Sequence, residues 1–242
     1  MNTTLNNPVV SREEWLEARR ALLQKEKELT RLKDKLSAER RQLPWIKIEK
    51  EYVFDTPQGK KTLSELFQNK SQLIVYHFMF GPGWQEGCVG CSFGSDHTDA
   101  ALQHLLQKDV NYVAVSRAPL SEIEPFRKRM GWKFDWVSSN GSDFNYDFHV
   151  TLDPKVAPVE YNYRNQAETE AKTGHAVTLE GEHHGLSVLF RPDDDIFHTY
   201  SVFARGCESL PNAYRLLDAT PYGRQQEFED SPSGWPQKPT YG

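Results

Sequence analysis

Residues Leu73–Phe80 read LIVYHFMF, with no Asp, Glu, Lys or Arg, and Gly81-Pro82-Gly83 ends the run at once. A continuous apolar stretch this short predicts a strand buried on both faces of a sheet. It falls well below the ~20 residues that a membrane-spanning helix needs. Cys88-Val89-Gly90-Cys91 follows, then a helical pattern to about Gln107 and a second apolar strand at Val110–Val115. Strand, turn, helix and strand in that order restrict the chain to an α/β fold with a central sheet.

The flanking sequence extends this frame. Residues 1–10 read as a loose tail. Ser11 and Glu14 form a capping box that opens a long helix over 11–43, which must stop before Pro44. Trp15, Leu22, Leu29 and Leu36 repeat every seventh residue and make one seam, with Lys25 interrupting the neighbouring register. Residues 44–220 are expected to form the main domain. Within it, Tyr52–Phe54 predicts a strand, Asp55–Gly59 a turn and Leu63–Phe67 a short helix. Ser121 and Glu124 predict a second capping box for a helix to Met130, followed by a short strand at Phe134–Val137. Residues 138–184 break the rhythm: they are polar, yet carry Phe144, Tyr146, Phe148, Tyr161 and Tyr163. They are expected to be an insertion, packed as a lid or running over the surface. Leu186–Phe190 and Phe197–Phe203 predict a hairpin, and Ser209 caps a last helix to about Asp218. Residues 221–242, with four Pro and three Gly, read as a tail.

Cys88 and Cys91 stand where a strand turns into a helix. Three residues apart in a first helical turn, two sulfurs approach bonding distance. The free N–H groups and dipole of the helix start favour a thiolate on the first of them. Such a thiolate attacks a disulfide, and the second thiol resolves the mixed disulfide. The same pair also suits half of a metal site, with one or two of His77, His183 and His184 as further ligands. A pair of packing residues is the plainest alternative.

The surrounding residues divide less sharply. His183 and His184 immediately precede the Leu186 strand, in a position to exchange a proton with a thiol or to contact substrate. Neighbours in an extended segment point to opposite faces, so one of the two is expected to face Cys88. His77, inside the apolar strand, reads chiefly as a core residue. His97 lies nine residues after Cys88 on a helix and is expected to point away from both sulfurs. The direction of His198 stays open. Trp84 and Phe93 flank the pair as docking or core aromatics, with Trp84 the candidate substrate contact. Glu86, two residues before Cys88, would raise its pKa. Arg205 is a surface cation or a local positive charge, and Cys207 a buried or loop thiol.

The motifs YHFMFGPGW, GCVGCSF, DFNYDF, EHHGLSVLF and FHTYSVFARG together resemble a bacterial family of thioredoxin-like proteins known as a domain of unknown function. The leading hairpin and the order of elements resemble the peroxiredoxin-like branch of that fold. The resemblance covers most of residues 10–225. It implies a central mixed β-sheet flanked by helices, with an N-terminal hairpin and a long N-terminal helix extension. The departures are specific. Peroxiredoxins carry P-x-x-x-[ST]-x-x-C, whereas Pro82 and Gln85 precede Cys88 here at other spacing and chemistry, which weakens a peroxidase reading. Thioredoxins place a cis-proline before the strand facing the dithiol, and the matching position near His184-Gly185 has none.

The expected function is that of a thiol–disulfide oxidoreductase, with Cys88 as nucleophile and Cys91 as resolving thiol. It would act on a protein or small-molecule disulfide without a cofactor. A metal-binding protein and a non-catalytic interaction module, dimerising through its N-terminal helix, are the alternatives. Net charge of -5 argues against a nucleic-acid partner, and no phosphate loop or nucleophilic-serine elbow is present. Three cysteines in 242 residues cannot form a disulfide scaffold. With no secretory signal or membrane span in view, the cytoplasm is the expected compartment, where a cysteine pair is more often catalytic or metal-binding than structural.

Overall fold

A computed structural model describes residues 7–209, together with 211–212, 217–218, 220, 225 and 237. Most of the helix expected from Ser209 to Asp218 and of the tail beyond it lies outside these residues. The chain divides between Pro44 and Trp45 into two compact units.

In the first unit, helix α1 spans Arg12–Arg40. Ser11 Oγ accepts from the Glu14 N–H, and the Glu14 carboxylate accepts from the Ser11 N–H at 2.9 Å, so the capping box forms as its spacing requires. No described residue of α1 is buried, and Trp15, Leu22, Leu29, Leu32 and Leu36 are all exposed.

In the second unit the elements run β1 (Ile46–Lys47), β2 (Val53–Thr56), β3 (Gly59–Thr62), α2 (Leu63–Leu66), β4 (Gln72–His77), α3 (Val89–Thr98), α4 (Leu102–Gln107), β5 (Val110–Ser116), α5 (Leu120–Met130) and β6 (Asp135–Ser138). The later part adds α6 (Phe144–Asp147), β7 (Thr151–Leu152), β8 (Glu160–Tyr161), β9 (Arg164–Asn165), α7 (Gln166–Thr173), β10 (Gly181–Glu182), β11 (Gly185–Phe190) and β12 (Phe197–Phe203). An eight-stranded sheet has the order β1-β12-β11-β4-β5-β6-β2-β3. Strands β4, β5 and β6 are parallel, while β11 and β12 add on antiparallel. The fold is thioredoxin-like: a mixed sheet with helices packed on it and α3 entering directly after the central strand β4.

Period-two alternation along β4 and β5 divides the core. Leu73, Val75, His77, Val113 and Val115 face one side, with Phe54, Phe67, Phe144, Phe148 and Phe203. Tyr76, Tyr112 and Ala114 face the other, with Phe78, Phe126, Trp132, Trp136, Cys91 and Cys207. Each strand is largely apolar because both faces are covered, and the buried polar side chains of Asn111 and Ser116 donate to the Leu66 and Phe78 carbonyls.

Three sequence expectations are corrected and a fourth is refined. The Cys-proximal helix is not continuous to Gln107; Thr98 Oγ1 bonds back to the Gly94 carbonyl at 3.4 Å, and a 3₁₀ turn at Asp99–Ala101 separates α3 from α4. The Asp99 carboxylate leaves the helix to accept from the N–H groups of Lys133 and Phe134. Ser121 caps nothing: α5 begins two residues earlier, with Pro119 in the N-cap position, and Glu124 pairs with Arg127 at 2.9 Å. Strand β4 ends at His77, and residues 78–80 continue as non-strand chain with Phe78 and Phe80 buried. Residues 138–184 divide: their first part packs inward, while most of 154–178 is exposed. They contain α6, α7 and short strands, and Phe144, Phe148 and Val150 fill the core beneath the sheet.

Candidate active site

The loop from β4 to α3 sets Cys88. Gly83 takes φ +81°, a left-handed turn that other residues adopt at a cost, and its N–H donates to Glu122 on α5 at 2.9 Å. Gly87 lies so close to Phe78 that a Cβ would sit 2.7 Å from the ring. The Cys88 N–H then donates to the Met79 carbonyl at 3.1 Å, folding the loop back on the strand end.

Cys88 is the N-cap residue of α3, and its sulfur takes the place of the usual capping oxygen. The Cys91 N–H donates to Cys88 Sγ at 3.4 Å. Cys88 is half-buried and Cys91 fully buried, and both are free thiols. A hydrogen bond from the Cys91 thiol, then N–H groups of Cys91 and Gly90, pull the Cys88 pKa down to about 6, against the opposing effect of burial. Burial, and then the hydrogen bond given to Cys88, hold the Cys91 thiol well above the ordinary range. The two sulfurs thus have opposite tendencies within one helical turn: Cys88 is the thiolate and Cys91 the thiol. With a pKa of about 6, about nine-tenths of Cys88 is ionised at pH 7.

Tyr76, which no catalytic sequence motif marks, hydrogen-bonds to Cys91 and favours its ionised form, opposing burial. The available signal was alternation: with His77 on one face of β4, Tyr76 must face the helix that carries the cysteines. Glu86 does not act on Cys88 as expected. Its carboxylate accepts from the Arg129 guanidinium at 2.8 Å, which answers its charge locally. Arg129 too was missed, because it comes from α5, distant in sequence. A second charged pair borders the loop. Glu182, almost wholly buried, accepts from Arg117 Nε at 2.6 Å and from Thr151 Oγ1 at 2.7 Å, and lies against the backbone of Gly81.

The histidines are spread out. His77 lies on the opposite face of the sheet from Cys91, its Nε2 2.8 Å from Ser187 Oγ and its ring against Phe144 and Phe148. His183 Nε2 meets the Leu179 carbonyl at 2.7 Å, and His184 Nε2 the Ala204 carbonyl at 3.2 Å. Neither forms a hydrogen bond with a thiol among the described residues, and burial lowers the pKa of both. His97 packs on Phe93, at 5.3 Å between rings. The metal-ligand set of Cys88, Cys91, His77, His183 and His184 is therefore not assembled, and no group of three or more His, Cys, Asp or Glu suited to a metal ion occurs among the described residues. His77 could not join such a set because β4 separates it from the sulfurs. Arg205 pairs with Glu208 at 2.7 Å. Cys207 is buried near Tyr76 and Leu186, its pKa pushed up to about 12 by burial. Trp84, on the loop before α3, is 39% exposed, and Val89, the residue after Cys88, 65% exposed.

The family model for a bacterial protein of unknown function (DUF899) matches residues 4–241. The chain belongs to this family. No curated protein matches the DUF899 chain. Among solved structures, it is similar to a Cys-to-Ser mutant of PrxQ from Xylella fastidiosa, with 12% identity, TM-score 0.41, and 68% of this chain and 88% of the other covered. It is also similar to peroxidoxin BcpB from Mycobacterium tuberculosis, with 12% identity, TM-score 0.38, and coverage of 69% and 94%. A peroxiredoxin-like protein from Aquifex aeolicus gives 10% identity, TM-score 0.42, and coverage of 67% and 81%. Likeness at this level transfers no activity to the DUF899 chain. Among the described residues no helix is long and apolar enough to cross a membrane.

Proposed function

We propose that this chain is a thiol–disulfide oxidoreductase with Cys88 as nucleophile and Cys91 as resolving thiol. The observation that carries this reading is the opposed pair: a half-exposed Cys88 whose pKa is drawn down to about 6, above a buried Cys91 whose pKa is raised. The Cys88 thiolate attacks one sulfur of a substrate disulfide and expels the other as a thiolate. Cys91 then loses its proton and attacks Cys88 Sγ, releasing the second substrate thiolate and leaving a Cys88–Cys91 disulfide. Two electrons pass from the dithiol to the substrate. A thiol reductant of the cytoplasm restores the dithiol by the reverse exchange. The exposed apolar side chains of Trp84, four residues before Cys88, and Val89, next to it, support a protein or small-molecule disulfide as substrate. The histidines are left out of this scheme, since the ring nitrogens they use are committed to backbone carbonyls.

Reduction of a small aromatic disulfide tests the scheme. The wild-type protein should release two thiols per dithiol oxidised. Cys91→Ser should stop at a trapped mixed disulfide on Cys88, visible as added mass. Unchanged turnover in Cys88→Ser, or no trapped adduct in Cys91→Ser, would sink it.

A further inference from the structure

On the sheet face opposite the dithiol, a cavity of about 100 Å³ lies between β12 and the 147–149 and 160–163 segments of the insertion. We propose that this cavity binds a small organic cation, a primary alkylammonium. The proposal does not rest on the dithiol chemistry.

The inner wall follows from an irregular strand. Along β11 and β12, Val188 pairs with Tyr200 but Leu189 pairs with His198, so Thr199 is the extra residue of a bulge. The bulge shifts the alternation, and His198 and Ser201 come together with Nε2 2.6 Å from Oγ. From Ser201 the chain of hydrogen bonds continues to Ser187 Oγ at 2.7 Å and to His77 Nε2 at 2.8 Å. These contacts fix the His198 ring through its inner nitrogen. Its Nδ1 has no partner among the described residues. Burial favours the neutral imidazole, so this wall adds no positive charge.

Aromatic rings form the rest of the apolar lining. Phe148 lies 5.2 Å from the His198 ring, Phe203 lies 5.6 Å from Tyr163, and the Tyr163 hydroxyl donates to the Ser201 carbonyl at 2.9 Å. Three lining residues, His149, Asn162 and Tyr163, hold φ of 54°, 52° and 62°, the left-handed region that non-glycine residues rarely adopt.

Charge decides the class of ligand. The lining contains two carboxylates, Asp147 and Glu160, and neither Lys nor Arg. Asp147 is already answered, by Lys50 Nζ at 2.7 Å and the Tyr52 hydroxyl at 2.7 Å. Glu160 is not: its carboxylate has no hydrogen bond or ion pair among the described residues, and the Asn162 carboxamide beside it has none either. An anion would face an uncompensated carboxylate. Glu160 is exposed and hydrated, so a neutral ligand gains nothing from its charge. An ammonium meets Glu160 with its charge and lays its alkyl chain and positive head against π faces. The volume suits roughly three or four carbon atoms with the nitrogen, a few water-sized volumes.

The test is an NMR titration of the full-length protein, at constant ionic strength, with propylammonium, propan-1-ol and propionate. Propylammonium should shift the amide signals of Tyr163, His198 and Ser201 saturably, with affinity about tenfold above that of propan-1-ol and no propionate binding. Glu160→Gln, at an exposed position that folding tolerates, should weaken propylammonium about tenfold. Equal affinity for propan-1-ol, binding of propionate, unchanged affinity in Glu160→Gln, or no saturable shift at about 50 mM propylammonium would each overturn the proposal.

Discussion

Removing the Cys91 thiol while keeping its N–H isolates the interaction that most lowers the Cys88 pKa. In Cys91→Ala the backbone donors of Cys91 and Gly90 remain, and only the thiol hydrogen bond is lost. A hydrogen bond to a charged acceptor contributes about 1.5–3 kcal/mol, and a pKa unit corresponds to about 1.4 kcal/mol. The midpoint of Cys88 alkylation should therefore move from about 6 to about 7–8. Rates at a single pH would hide this. A thiolate of higher pKa is intrinsically more nucleophilic, with a Brønsted slope of about 0.4–0.5. The variant should thus react at a rate within about threefold of wild type near pH 6.5, yet about fivefold faster at pH 9. Iodoacetamide labelling followed by intact mass across pH 5–9 reads the profile. Cys207 stays silent over most of that range, because burial raises its pKa to about 12. A wild-type midpoint near the ordinary cysteine value of 9.0, or a Cys91→Ala midpoint within about 0.3 units of wild type, would refute the reasoning.

Two further outcomes follow from other parts of the molecule. His77 is fully buried, and burial brings its pKa from 6.5 down to about 3. Because the folded-state value is depressed, the unfolded chain binds a proton first; stability is full above pH 6.5 and falls as pH drops toward 3. Denaturant melts should show a loss of about 2–3 kcal/mol between pH 6.5 and 4.5 that His77→Gln removes, and equal slopes in both proteins would count against it. We also propose that the exposed seam of α1 pairs two copies of the chain. In a parallel pair the Glu28 carboxylate of one helix flanks Lys33 of the other, and the leucines meet across the seam. Light scattering should give a dimer for wild type and a monomer for the Leu22→Glu/Leu29→Glu variant; a wild-type monomer at micromolar concentration would exclude this assembly.

The thioredoxin-like frame was legible where one physical signal dominated. The unbroken run at Leu73 marked the central strand because both its faces are covered. The Ser11–Glu14 spacing marked the start of α1 because two orphan donors are satisfied reciprocally. Position alone also placed Cys88 at a helix start. What escaped was set by contacts between distant segments. Strands β7 and β10 are two residues each and exist only because they pair with one another, so no local period announces them. The same holds for Phe144 and Phe148, whose polar surroundings disguised two core residues. The neutralisation of Glu86 depends on Arg129, 43 residues later, and the role of Tyr76 on where α3 docks. Ser121 misled because its spacing to Glu124 met the capping rule, while Pro119 supplied an earlier start.

The cap on α3 has a consequence for the direction of electron flow. Holding Cys88 as a thiolate stabilises the reduced pair and leaves the disulfide unaffected. With a pKa of about 6, the reduced form gains up to about 1.4 kcal/mol at pH 7 relative to an ordinary thiol, equivalent to a rise of about 30 mV in the two-electron potential. A couple shifted in that sense gives up its disulfide more readily. The same hydrogen bonds that sharpen Cys88 as a nucleophile therefore make the Cys88–Cys91 disulfide easier for a thiol reductant to recycle, and the effect grows from pH 6 toward pH 9 while an ordinary cysteine is still largely a protonated thiol.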